Sequence, residues 1–355
     1  MRRRAALRSG VALFGGATFA GCLDGLDTLG SESAWRDLVV DRPDEIYVPP
    51  KVDGMLDWGT VGTDGYALSV SATRPHRFWT IAGRETNQIA MREAHSVHLM
   101  VSVLEPDTRR FVPAEVRVSI RRGDDRVLDR ALWPMLSQRM AIHYGDNVAL
   151  PDAGRYRVVI RVLPRGTGRF SEAFEPTTVT VEFEYVPDEI EGVEQTIIEE
   201  SRRGRPGAVE PMGHSRDEAA HTGPGGHPPI TMSPSPASFP AVLADEIRGD
   251  YRMVVARADH TSGRYLFVSP RTRYNGFPLP FASFTARIER PSGTTSLALT
   301  EATHPAFGHH YGAVVDPLSA GTTIAVDLDV PPQVARHEGY ETALFDLRAL
   351  SLRVP

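Results

Sequence analysis

The chain has 355 residues, 41% hydrophobic, 24% charged and 8% aromatic, a globular composition long enough for two β domains. A formal net charge of −6 speaks against a general nucleic-acid-binding surface. The single cysteine excludes a disulfide framework, a CxxC redox pair and a cysteine zinc site.

The N-terminus reads as an export signal. Arg2-Arg3-Arg4 is followed by a short apolar run from Val11 to Ala20 and then by Gly21-Cys22. A basic start, a brief apolar core and small residues before a lone Cys predict residues 1–21 as a twin-arginine-type signal, with Cys22 the lipidated residue. Removing those 21 residues leaves a mature charge of −10. The expected location is extracytoplasmic, on the outer face of the cytoplasmic membrane, held by a lipid anchor. Residues 22–45 read as a tether.

From about residue 46 the pattern is alternation. Segments 66–72, 97–103, 116–120, 156–162 and 178–185 place apolar or β-branched residues at every second position, between Gly, Pro and Asp turns. This predicts an all-β fold, with residues 46–188 as one antiparallel, immunoglobulin-like sandwich. A short helix is expected near Glu191–Arg202. Residues 189–240 form a Pro/Gly-rich linker in which His214, His221 and His227 read as solvated filler. Residues 241–355 form a second sandwich, because the flanks repeat at an offset of 167. His143-Tyr144-Gly145 falls on His310-Tyr311-Gly312, Ala153-Gly154 on Ala320-Gly321, and Pro113 on Pro280. Copy two lacks a counterpart to Pro75-His76-Arg77-Phe78-Trp79-Thr80.

Enzyme templates are missing: no G-x-S-x-G elbow, P-loop or H-E-x-x-H occurs, and a non-enzyme is expected. Histidine and methionine remain. His98 and Met100 alternate on one strand and share a face. Residues 133–147 read as a loop carrying Met135, Met140 and His143. Imidazole suits Cu, Zn, Fe and Ni, and thioether favours Cu(I); core packing is the competing reading for both methionines. Tyr144, Trp133, Phe78 and Trp79 are expected in the core, and Gly145 and Gly312 as left-handed turns placing the adjacent histidines.

The stretch from Met135 to Val148, ending His143-Tyr144-Gly145-Asp146-Asn147-Val148 and followed by Leu150-Pro151-Asp152-Ala153-Gly154-Arg155-Tyr156, resembles the signature loop of the periplasmic iron-transport protein family. The resemblance implies an immunoglobulin-like, copper- or iron-binding protein working beside an iron permease. Its ligand pattern is a first His with an assisting Glu two residues on, a Met, a second His in His-Tyr-Gly and a third His. Carried over, these are His98, Met135 (or Met140) and His143 in copy one, with Met100 at the Glu position and Phe170 at that of the third His. In copy two they are His310 and His337, with Tyr265 at the first position and no Met, leaving His304 or His309 as substitutes.

Neither copy holds the full set. Copy one binds alone through His98, Met135 and His143; or the two copies face each other as an intrachain pseudo-dimer and share ligands; or the fold persists without metal. The expected role is an exported lipoprotein that binds copper or iron for uptake at the membrane. The alternatives are a metal-free surface module that binds a protein partner and, more weakly, a copper redox enzyme.

Overall fold

The computed structural model describes residues 51–165, 173–202, 205, 207–212, 230–260 and 263–355. Cys22, Phe170, His214, His221 and His227 lie outside the described residues. The described fold is almost entirely β, and the alternating segments form strands as expected. Its one α-helix among the described residues is a single turn, Pro187–Glu191, opened by Pro at its N-terminus with Asp188 and Glu189 in the first turn. The helix expected near 191–202 is instead a short strand, β13 (Gln195–Ile197), and a 3₁₀ turn at Glu200–Arg202. β13 pairs with β1 (Lys51–Asp53).

In the first half, two sheets enclose the core. One carries, in spatial order, β2 (Leu56–Gly62), β3 (Ala67–Thr73), β6 (Val97–Leu104), β10 (Ala141–Val148) and β9 (Trp133–Ser137). The other carries β12 (Thr177–Tyr185), β11 (Gly154–Pro164), β7 (Ala114–Arg122) and β8 (Asp125–Ala131). Leu99, Val101 and Val103 of β6 meet Val116, Val118 and Ile120 of β7 and Val158 and Ile160 of β11, all buried. Burying such a side chain contributes roughly 1.5–3 kcal/mol.

In the second half, β14 (Ala241–Arg248), β15 (Tyr251–His260), β16 (Gly263–Thr272), β19 (Gly308–Val315), β18 (Gly293–His304), β17 (Ser283–Arg290), β20 (Thr323–Val330) and β22 (Leu350–Arg353) follow one another in a continuous ladder. The long β18 pairs with β17 through Leu299 and with β19 from Thr300, so it passes from one layer to the other. In the first half the corresponding stretch is broken between β8 and β9, where Leu132 turns its N–H to the Val116 carbonyl and Pro134 has none to give.

The offset of 167 recurs in the geometry. Val101 pairs with Tyr144, and Val268 with Tyr311. The isolated bridges Leu104–Phe111 and Arg271–Pro278 correspond. Positive φ angles fall at Arg109 and Gly276, at Ala141 and Gly308, and at Gly154 and Gly321. Gly145 and Gly312 are not among the positive-φ residues; they lie within β10 and β19, so the expected left-handed turn is not their role. Tyr144 and Phe78 are buried, whereas Trp133, at the head of β9, is 45% exposed.

The two halves share a sheet. β21 (Ala335–Arg336), from the second half, runs parallel to β9 and antiparallel to β4 (Phe78–Ala82), with β5 (Glu85–Ile89) beyond it. Both halves belong to one compact unit, Asp44–Pro355. No helix among the described residues is long and apolar enough to cross a membrane.

Candidate metal centre

The site lies on the face of the β3–β6–β10–β9 sheet that points away from the core of the first half. Tyr144 of β10 faces inward, stacked at 6.0 Å on Phe111, so His143, Gly145 and Asn147 face outward. Asn147 pairs with His98, and Gly145 with Met100. The stretch 133–147, expected as a loop, is a hairpin in which Met135 stands directly opposite His143. Alternation puts both side chains on the same face, which a loop would not guarantee.

His337 reaches this face from the second half. Its backbone N–H donates to Leu136 O at 3.2 Å, just beyond the β21–β9 pairing. The buried Arg336 guanidinium holds the segment by donating to Val334 O at 2.7 Å and Pro332 O at 3.0 Å. His76 comes from the Pro75–Thr80 insertion that copy two lacks, and the next residues of each segment, Arg77 and Glu338, form an ion pair at 3.5 Å. His76, His98 and His337 each offer a ring nitrogen, all within 4.8 Å of one another. His143 Nε2 lies 3.1 Å from His337 Nε2, and His76 Nε2 lies 2.9 Å from His337 Nδ1. His98 and His143 are fully buried, while His76 and His337 are partly exposed and form the rim.

Counting protons shows what the cluster can accept. Asn147 Nδ2 donates to His76 O at 2.7 Å, which fixes Oδ1 toward His98 Nδ1 at 2.9 Å. His98 Nδ1 therefore carries the proton. Its Nε2 is bare, and it is buried with no hydrogen-bond partner. His76 Nδ1 faces Arg74 O at 3.1 Å, and His143 Nδ1 faces Ala141 O at 3.4 Å. Oxygen acceptors at all three Nδ1 atoms set the tautomers, the usual second-layer arrangement behind metal-bound imidazole; His76 Nε2 and His143 Nε2 then face the two ring nitrogens of His337, which in its neutral form has a single N–H for the two. Burial pushes all four imidazoles below the ordinary histidine value, His143 to about 4, and the neighbouring rings oppose a second proton. Neutral imidazole is the form that coordinates.

Met135 completes the set. A Cβ placed on Gly145 would lie 2.9 Å from Met135 Sδ and 3.0 Å from His98 Nε2. The thioether and the orphaned nitrogen thus converge over a residue whose missing side chain keeps the space open. These residues fit a transition metal: three convergent imidazoles, a fourth from His143 against His337, and one thioether, with no carboxylate in the cluster.

The other predicted residues lie elsewhere. Met100 and Met140 pack with Met212 in a separate buried cluster. In copy two, Tyr265 occupies the place of His98, and its hydroxyl meets His310 Nε2 at 3.0 Å. The Tyr265 ring and hydroxyl fill the space over Gly312 and would collide with any Cβ there. Where copy one has a cradle, copy two has a phenol. His310 Nδ1 donates to Gly308 O at 2.9 Å, His309 pairs with Glu301 at 2.7 Å, and His304 stacks on Phe307 at 4.2 Å. The residue that sequence reasoning missed is His76; its signal was the insertion present in one copy alone.

The family described as "Domain of unknown function (DUF7350)" matches residues 238–353. No curated protein matches the chain. Among solved structures, "as isolated" FetP of uropathogenic Escherichia coli strain F11 is 17% identical, with 38% of this chain and 96% of that chain covered and a TM-score of 0.28. Copper-reconstituted P19 of Campylobacter jejuni is 15% identical, covering 39% and 97%, with a TM-score of 0.29.

Proposed function

We propose that the protein binds one copper ion between its two halves, through His76, His98, Met135, His143 and His337, and that it does so outside the cytoplasm as a lipid-anchored carrier supplying metal for uptake at the membrane. The observation that carries the binding is the buried, partnerless Nε2 of His98, aimed at the same space as Met135 Sδ. Leaving such a nitrogen unsatisfied costs about 1–3 kcal/mol, which a cation recovers. Imidazole and thioether favour copper, and the lack of a carboxylate in the cluster disfavours hard ions, ferric iron included. Export and anchoring rest on the Arg2-Arg3-Arg4 start and Cys22; the uptake role and the permease partner rest on the family resemblance of the His143-Tyr144-Gly145 segment.

The chain's own groups perform the binding. Asn147 and the Arg74 and Ala141 carbonyls orient the rings, Gly145 keeps the space free, and the half-exposed His76 and His337 are the groups a metal meets first. Metal analysis of protein purified without a polyhistidine tag tests the reading. After loading with Cu(II) in air, one equivalent of copper is expected in the parent and none in the His98→Ala/His143→Ala double variant. Equal copper in both would overturn it, and no copper in either would favour the metal-free module.

A further inference from the structure

Beside the histidine site, on the same sheet face, lies a second grouping that the proposed function does not use. Met100, Met140 and Met212 form a buried cluster with no other residue type among its buried members, and Met55 and Ile230 pack against it, partly exposed. The four sulfurs come from four separate places: before β2, in β6, in the β9–β10 turn, and at Met212, whose N–H donates to Arg139 O at 3.0 Å. The whole chain has 9 methionines. In the first half none enters the main core, which is built from Val, Leu, Ile, Tyr, Phe and Ala. Met253 does fill the core of the second half, so the signal is the grouping of these methionines and not methionine burial as such. Leucine has a similar volume and would pack this face equally well; what four thioethers add is soft donor sulfur.

We propose that Met55, Met100, Met140 and Met212 form a second metal site, specific for a soft monovalent cation, Cu(I). Thioethers are neutral, so the site offers no charge to offset that of a divalent ion in an apolar setting, and a singly charged soft ion carries the smaller desolvation cost. Half-exposed Met55 gives the way in from solvent. Met100 stands two residues from His98 on one strand, about 7 Å along it. The two sites are therefore neighbours, one nitrogen-rich and one sulfur-only. The inference extends the reading of the histidine site, and the test lets the two fail separately.

The full chain is titrated anaerobically with Cu(I) against a chromophoric Cu(I) chelator, and separately with Cu(II). The parent should bind two Cu(I) and one Cu(II). The M100L/M140L/M212L variant should bind one Cu(I) and one Cu(II). The H98Q/H143Q variant should bind one Cu(I), with a sulfur-only shell by X-ray absorption, and no Cu(II). Should the triple variant not fold, the single Met212→Leu variant should weaken the second Cu(I) at least tenfold and leave Cu(II) binding unchanged. A parent that binds one Cu(I), a leucine variant that still binds two, or a nitrogen shell around the Cu(I) kept by H98Q/H143Q would overturn the proposal.

Discussion

Asn147 shows how much a single residue outside the ligand set controls. Its side chain accepts from His98 Nδ1 and donates to the His76 carbonyl, so it fixes one ring and ties down the segment bearing another. Asn147→Ala removes both bonds, and the longer one that Oδ1 accepts from His76 N–H at 3.4 Å, without touching a ligand atom. Copper affinity should fall 10–100-fold, read by competition titration, with little change in secondary structure. His310 shows the opposite case, an imidazole sealed in a site that holds no cradle. Burial pushes it down to about 3, against 6.5 when unfolded. The unfolded chain takes up the proton first, so the stability due to the neutral ring is present in full above about pH 6.5 and is lost as pH falls toward 3. His310→Gln cannot bind that proton. In metal-free protein the gap in unfolding free energy between parent and variant should therefore narrow steadily through this window; a constant gap would count against it.

At the scale of elements, the two halves repeat a tyrosine-centred joint. Tyr144 Oη accepts from Ala114 N–H at 2.8 Å and donates to Val112 O at 3.3 Å. Tyr311 Oη accepts from Ala282 N–H at 2.9 Å and donates to Leu279 O at 2.9 Å. Each joins the hairpin strand to the chain entering the facing sheet. Tyr144→Phe strands the buried Ala114 N–H and should cost about 1–3 kcal/mol in denaturant unfolding, and Tyr311→Phe, which frees the half-buried Ala282 N–H, should cost less. Tyr144→Phe should leave copper affinity nearly unchanged, since the ring faces away from the site. Strand alternation made this much legible in advance: the faces of His98, Met100 and Tyr144 follow from period two alone. Lateral position did not. Met100 and Met140 read as part of the His98 site because alternation gives the face of a strand and not what stands beside it. Met135 and His143 read as loop residues in the sequence because Pro134 and the Ser137–Met140 turn hide a five-residue strand.

For the whole molecule, neither half carries a complete ligand set. The second half carries Tyr265 at the position corresponding to His98, its phenol fills the space over Gly312, and His337 of the second half meets the sheet of the first. The repeat in the sequence made His337 a candidate, and ligand sharing between the halves was one of three arrangements it left open. For His76 it offered only the segment without a counterpart in the second half, in which a single histidine carries no spacing pattern. The central claim is a histidine-rich copper centre assembled from both halves, and electron paramagnetic resonance of Cu(II)-loaded full-length protein tests it most directly. The parent, His337→Gln and His310→Gln are titrated side by side. One nitrogen-ligated Cu(II) is expected per parent chain, with an altered spectrum and at least tenfold weaker binding in His337→Gln and no change in His310→Gln. A His337→Gln protein with the parent spectrum and affinity, or a His310→Gln protein that loses copper, would contradict it.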